Sequence, residues 1–101
     1  IFILSVGGGS IKENISVNLV NAIKLSKKRN SMSVSITANA AGYSYKNTDV
    51  NILVPINNKK RMTPHAEASQ AILWHLFVSS PLLADNKTKW ESIVKLNGGK
   101  N

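Results

Sequence analysis

At 101 residues, with 43% hydrophobic and 18% charged side chains, the sequence has the make-up of one globular domain or part of one, which excludes a disordered chain. Thirteen Lys and Arg against five Asp and Glu leave a net charge of +8, and the absence of cysteine excludes disulfides, thiolate catalysis and cysteine-ligated zinc. No apolar run approaches the roughly 20 residues of a membrane span, so a soluble protein of the reducing cytoplasm is expected, with no membrane partner.

The chain opens at Ile1 on an apolar run, Ile1–Ser5, that reads as a buried strand with neither initiator Met nor leader before it, and so reads as the later part of a longer domain. Ser-Val-Gly-Gly-Gly-Ser follows at residues 5 to 10. Strand, glycine-rich loop and helix start in that order build an anion site, because glycine lets the backbone approach a phosphate while hydroxyls and helix N–H groups donate to it. The loop matches neither GxGxxG nor the Walker pattern, and a plain strand-to-helix turn is the alternative reading. Val17 to Arg29 predicts an amphipathic helix with Val17, Leu19, Val20 and Ile23 on its apolar stripe and Ser16 as N-cap. Asn30, tolerant of the left-handed conformation, ends it.

Met32–Thr37 is the second expected strand, Ala38–Asn47 a loop, and Val50–Val54 a third strand stopped by Pro55. A last helix is expected from Thr63 as N-cap, with Pro64 at its first position, to about Ser79, and 97–101 as a frayed tail. Alternating strands and helices imply right-handed crossovers and a parallel sheet. Met32, Val34 and Ile36 alternate with Ser33, Ser35 and Thr37, whereas an interior parallel strand is usually apolar throughout; either small hydroxyls are buried under a close helix or that face is open. Three strands are too few for an independent doubly wound domain, so missing strands or a partner chain must complete the sheet.

Lys27, Lys28 and Arg29 close the first helix, where cations suit its dipole, and Lys59, Lys60 and Arg61 sit in a loop. Neither cluster is interleaved with aromatics, which favours a solvated surface over a nucleic-acid interface. Acid/base chemistry falls to the last helix. Glu67 and His75, eight positions apart, lie about 80° apart around the axis and roughly 12 Å along it, sharing a face without touching. They suit proton transfer at two atoms of a substrate between them, against the plainer reading of a dipole-compensating Glu and a packed or surface His beside Trp74. His65 lies on the other side of the helix from Glu67.

With Ser-Val-Gly-Gly-Gly-Ser at 5 to 10, Ser-Val-Asn-Leu-Val-Asn-Ala-Ile at 16 to 23 and Thr-Pro-His-Ala-Glu-Ala-Ser-Gln-Ala-Ile-Leu-Trp-His-Leu at 63 to 76, the chain resembles the C-terminal half of a sugar isomerase (SIS) domain, nearest the phosphoheptose isomerase branch. The resemblance implies a flavodoxin-like α/β fold, a three-layer doubly wound parallel sheet incomplete in this chain, with residues 1–96 as part of one SIS domain. It further implies a phosphorylated sugar at the C-terminal strand ends and a homo-oligomer, dimer or tetramer, with shared sites. Phosphate-binding positions fall on Ser5, Gly8, Ser10 and Ser16, and catalytic ones on Glu67 and His75. Val6 and Gly7 stand where phosphoheptose isomerases commonly carry hydroxyls, and 11 to 15 looks like an insertion. Members of that branch can hold zinc with the late-helix positions plus a His and a Glu from an earlier helix that this chain lacks; Glu67 and His75 are competent ligands but two are too few for a site. The expected function is interconversion of ketose and aldose phosphates through an enediol, and the alternative a non-catalytic SIS module that senses a sugar phosphate or scaffolds a partner.

Overall fold

The computed structural model describes residues 1–86, so the expected tail and the domain limit at 96 lie outside the described residues. Three strands form one sheet in the order β1-β2-β3, all parallel: β1 is Phe2–Leu4, β2 Val34–Thr37 and β3 Val50–Leu53. Helix α1, Val17–Lys28, joins β1 to β2, and the five-residue α2, Tyr43–Asn47, joins β2 to β3. A 3-10 turn at Lys59–Arg61 leads into α3, Met62–Ser79. The chain divides into two compact units, Ile1–Ala71 and Ile72–Asn101.

Register explains the unusual β2 pattern. Phe2, Val34 and Val50 are paired across the sheet, as are Leu4, Ile36 and Ile52, so these six share one face while Ile3, Ser35 and Asn51 share the other. β2 is covered on both faces: Ser33, Ser35 and Thr37 are fully buried on one, Ile36 is fully buried and Val34 half-buried on the other, and Met32, ahead of the strand, is 68% exposed. A small residue on β2 lets α2 approach closely, and each hydroxyl finds a partner. Ser35 Oγ lies 2.8 Å from Thr48 Oγ1, Thr48 Oγ1 donates to the Ser44 carbonyl (2.7 Å), and Thr37 Oγ1 donates to the Val6 carbonyl (3.0 Å). Buried hydroxyls left unpaired would cost about 1–3 kcal/mol each, so this pairing makes a polar strand face compatible with burial. Val20 and Ile23 of α1, with Ile3, Ile36, Val54 and Ala66, are the buried apolar residues of the first unit, Ile3 and Ile36 on opposite faces of the sheet. Gln70 of α3, also buried, donates Nε2 to the Ile36 carbonyl at 3.0 Å.

Four local expectations need correction. Residues 43 to 47, expected as loop, are helical. Ser16 stands at the N-cap of α1 but in the left-handed region, φ 49°, and its side chain makes no capping bond, because a cap hydroxyl reaches the first-turn N–H groups from extended backbone. Thr63 is not a cap either: α3 begins at Met62, preceded by a turn in which Asn58 Oδ1 accepts from the Lys60 N–H. Pro64 therefore lies within the first helical turn, where its missing N–H is harmless. Asn30 does adopt the left-handed conformation, φ 52°, just past α1.

Candidate anion-binding site

The glycine-rich loop leaves β1 at its C-terminal end, the end at which open parallel sheets bind ligands. What shapes it is the segment from β2 to α2. The Val6 carbonyl accepts from the Ala38 N–H and Thr37 Oγ1, the Gly7 carbonyl from Asn39 Nδ2, the Gly8 carbonyl from the Ser44 N–H and the Gly9 carbonyl from the Tyr43 N–H, at 2.8 to 3.2 Å. Four successive carbonyls thus face one way. In trans peptides each N–H points opposite to the carbonyl it is bonded to, so the N–H groups of Gly7, which is exposed, and Gly9, which is buried, turn away from α2, and among the described residues they meet no acceptor. The Gly8 N–H instead donates to Ser5 Oγ at 3.0 Å.

Glycine is required here by both conformation and space. Gly8 and Gly9 have φ of 75° and 77°, a region costly to residues with a Cβ. A Cβ on Gly8 would stand 2.7 Å from Ser44 Oγ, and one on Gly42 would collide with the Gly7 carbonyl oxygen. Ser44 is fully buried and its Oγ has no hydrogen-bond partner among the described residues. Sequence reasoning did not single out Gly42, Ser44 or Asn39; the run of small residues Ala40-Ala41-Gly42 opposite three glycines was the available signal of close backbone approach.

Of the four expected phosphate contacts, Ser5, Gly8 and Ser10 lie on this loop. Ser5 Oγ and Ser10 Oγ each accept a backbone N–H, from Gly8 (3.0 Å) and Glu13 (3.2 Å), which fixes the oxygen and leaves the hydroxyl hydrogen to donate elsewhere. Gly8 is buried and spends its N–H inside the loop, so it shapes the site and does not offer that group to a ligand. Ser10 and Ile15 pair in both directions, at 2.9 and 3.0 Å, closing residues 11 to 14 into a tight exposed turn. That turn separates the loop from α1, so Ser16 is exposed at the helix start beyond it.

Glu67 and His75 both lie on α3, and both are exposed. His75 stacks on Trp74 with ring centroids 3.9 Å apart and planes at 25°. Among the described residues no group of three or more His, Cys, Asp or Glu stands together, so Glu67 and His75 do not by themselves make a zinc site. His65 is likewise exposed.

The opposite end of the sheet is organised differently. Asp49, just before β3, takes the Ser33 N–H and Ser33 Oγ on one carboxylate oxygen at 2.7 and 2.8 Å. The Ser33 N–H, then its hydroxyl, hold the Asp49 carboxyl below its ordinary value, and Lys27 adds to the effect. An open cleft of about 570 Å³ adjoins it, lined by Lys27, Asn30, Ser31, Met32 and Asp49. This clamp ties the start of β3 to the start of β2.

Comparison with protein-family models, with curated proteins and with solved structures finds no match to this chain. No helix among the described residues is long and apolar enough to cross a membrane. The small α/β unit with its parallel sheet is what the chain's own geometry establishes.

Proposed function

We propose that the chain is part of a phosphosugar isomerase of the sugar isomerase type it resembles, completed to a three-layer doubly wound sheet and acting in the cytoplasm as a symmetric oligomer. One observation carries the reading: the β2–α2 segment holds the loop carbonyls inward, which leaves the Gly7 and Gly9 N–H groups and the Ser5 and Ser10 hydroxyls as unspent donors at the C-terminal end of the sheet. Oriented donors of this kind bind an anion without reorganising, and a phosphate is the anion that four such groups suit. In the proposed reaction Glu67 takes the proton from the carbon next to the substrate carbonyl and His75 donates one to the carbonyl oxygen, giving an enediol. Glu67 then returns its proton to the former carbonyl carbon while the hydroxyl on the adjacent carbon gives its proton back to His75, which exchanges aldose for ketose with no net change in protons.

A second reading keeps the ligand and drops the chemistry. Exposure of both Glu67 and His75 favours a module that binds a sugar phosphate as sensor or scaffold, since exposed groups lack the dry surroundings that strengthen proton transfer. The complete protein, incubated with ketose and aldose phosphates in deuterated water, separates the two. Incorporation of deuterium at a substrate carbon supports the isomerase, and calorimetric binding without incorporation supports the module.

A further inference from the structure

The two unspent N–H groups of the glycine loop differ in access and in what holds them. Gly7 is exposed and Gly9 buried, so a ligand arriving at the loop reaches the Gly7 N–H first. Nothing in the fold asks for glycine at that position. Gly7 lies outside the left-handed region that Gly8 and Gly9 occupy, and a Cβ on it would meet no atom within 4 Å, so its bare backbone borders open space. The Gly7 N–H shares its peptide with the Val6 carbonyl. Among the described residues that is the one loop carbonyl with two donors, the Ala38 N–H at 3.0 Å and Thr37 Oγ1 at 3.0 Å.

Thr37 ends β2 and is fully buried. Its hydroxyl oxygen accepts the Asn39 N–H at 3.1 Å, which leaves the hydroxyl hydrogen for the Val6 carbonyl. Its own carbonyl accepts the Val54 N–H at 2.8 Å, so the residue is tied to the chain beyond β3 as well as to the loop.

We propose that Thr37 is a positioning residue of the anion site, orienting and polarising the Val6–Gly7 peptide so that the Gly7 N–H becomes the leading donor to a phosphate. A carbonyl oxygen that accepts hydrogen bonds draws electron density from its own amide nitrogen, and the attached N–H becomes a stronger donor, by roughly 10–30% for each bond in such a chain. Two donors on one oxygen also hold the plane of the peptide, because turning it would strand a buried hydroxyl. Thr37 touches no ligand and acts through Val6. Ser35, two residues earlier on the same face, sends its hydroxyl to Thr48 and Ser44 and has no bond to the loop. The role rests on the reading of the loop as an anion site and is independent of the proton chemistry on α3.

Titration of inorganic phosphate into the complete ¹⁵N-labelled protein, with calorimetry beside it, tests the role in Thr37→Val, Thr37→Ser and Ser33→Ala. Thr37→Val keeps the shape and removes the hydroxyl, so affinity is expected to fall about fivefold, the scale of one hydrogen bond. In the ligand-free variant the Gly7 amide proton is expected to move upfield while that of Gly9 stays. Thr37→Ser is expected to restore both. Ser33→Ala, just ahead of β2 at its far end, removes a hydroxyl bonded to Asp49 and is expected to lower the urea midpoint with affinity unchanged, which separates positioning from a loss of stability. Unchanged phosphate affinity in Thr37→Val, or no recovery in Thr37→Ser, overturns the proposal and leaves the loop site standing. A parent protein that binds no phosphate removes the site itself, and the role of Thr37 with it.

Discussion

The loop at residues 5 to 10 and helix α3 carry the two halves of the proposed chemistry, and the structure treats them in opposite ways. Around the loop, four consecutive carbonyls are bonded to the β2–α2 segment, two glycines hold left-handed conformations, and both serine oxygens are fixed by backbone donors. On α3, Glu67 and His75 are exposed, His75 with its ring stacked on Trp74. Anion binding needs donors held in place, which a small α/β unit supplies from its own backbone. Proton transfer needs a covered site, and nothing among the described residues of the first unit supplies one for Glu67. The comparison predicts a loop that tolerates little and a helix whose exposed groups matter for turnover alone.

The largest effect falls on that helix. In the complete protein Glu67→Gln keeps shape and removes the base, so turnover should fall by about 10² or more, with His75→Asn similar and sugar phosphate affinity changing much less. Steady-state kinetics with calorimetry checks both. Full activity in Glu67→Gln would break the contrast by removing the role of α3.

Next comes Gly42→Ala, which drives a methyl group into the Gly7 carbonyl. The cost should be about 1–3 kcal/mol in a urea melt, as for other overpacked sites, with anion affinity lost in parallel because the loop must shift. Ser5→Ala should then weaken phosphate binding roughly tenfold, since a hydrogen bond to a charged group contributes about 1.5–3 kcal/mol. Its calorimetric signature is a change in affinity with the fold intact.

Much of this contrast was legible in the sequence, and the misses have physical causes. Strand and helix periodicity placed β1, α1, β2 and β3 within two residues, and Asn30 signalled its left-handed conformation through its short amide side chain. Helix α2 was missed because Tyr-Ser-Tyr-Lys-Asn is a single turn, too short for periodicity, and is held by the glycine carbonyls and by Thr48 more than by propensity. The buried hydroxyl face of β2 was ambiguous because its partners, Ser44, Thr48 and Val6, are distant in sequence. Ser5 and Ser10 were identified from local sequence, whereas the roles of Gly42 and Asn39 depend on a contact 32 to 35 residues away in the chain.

The smallest effect tests the far end of the sheet. Asp49 is held below its ordinary carboxylate value of 3.8 by Ser33, so its contribution to stability is present above that value and lost as pH falls through its lowered folded-state value. Asp49→Asn should therefore be less stable than the parent at neutral pH, and the gap should close in acid melts below about pH 4. Anion binding should not change, because the clamp and the loop sit at opposite ends of the strands.

The central claim is that the loop is a preformed anion site, and amide chemical shifts under phosphate titration test it most directly. With a sugar phosphate or inorganic phosphate added to the ¹⁵N-labelled protein, the Gly7 and Gly9 N–H resonances should move downfield together, ahead of every other amide. The Gly8 N–H, already bonded to Ser5, should move far less. Saturating shifts that centre on Lys27 to Arg29 or Lys59 to Arg61 and leave Gly7 and Gly9 in place would contradict the account.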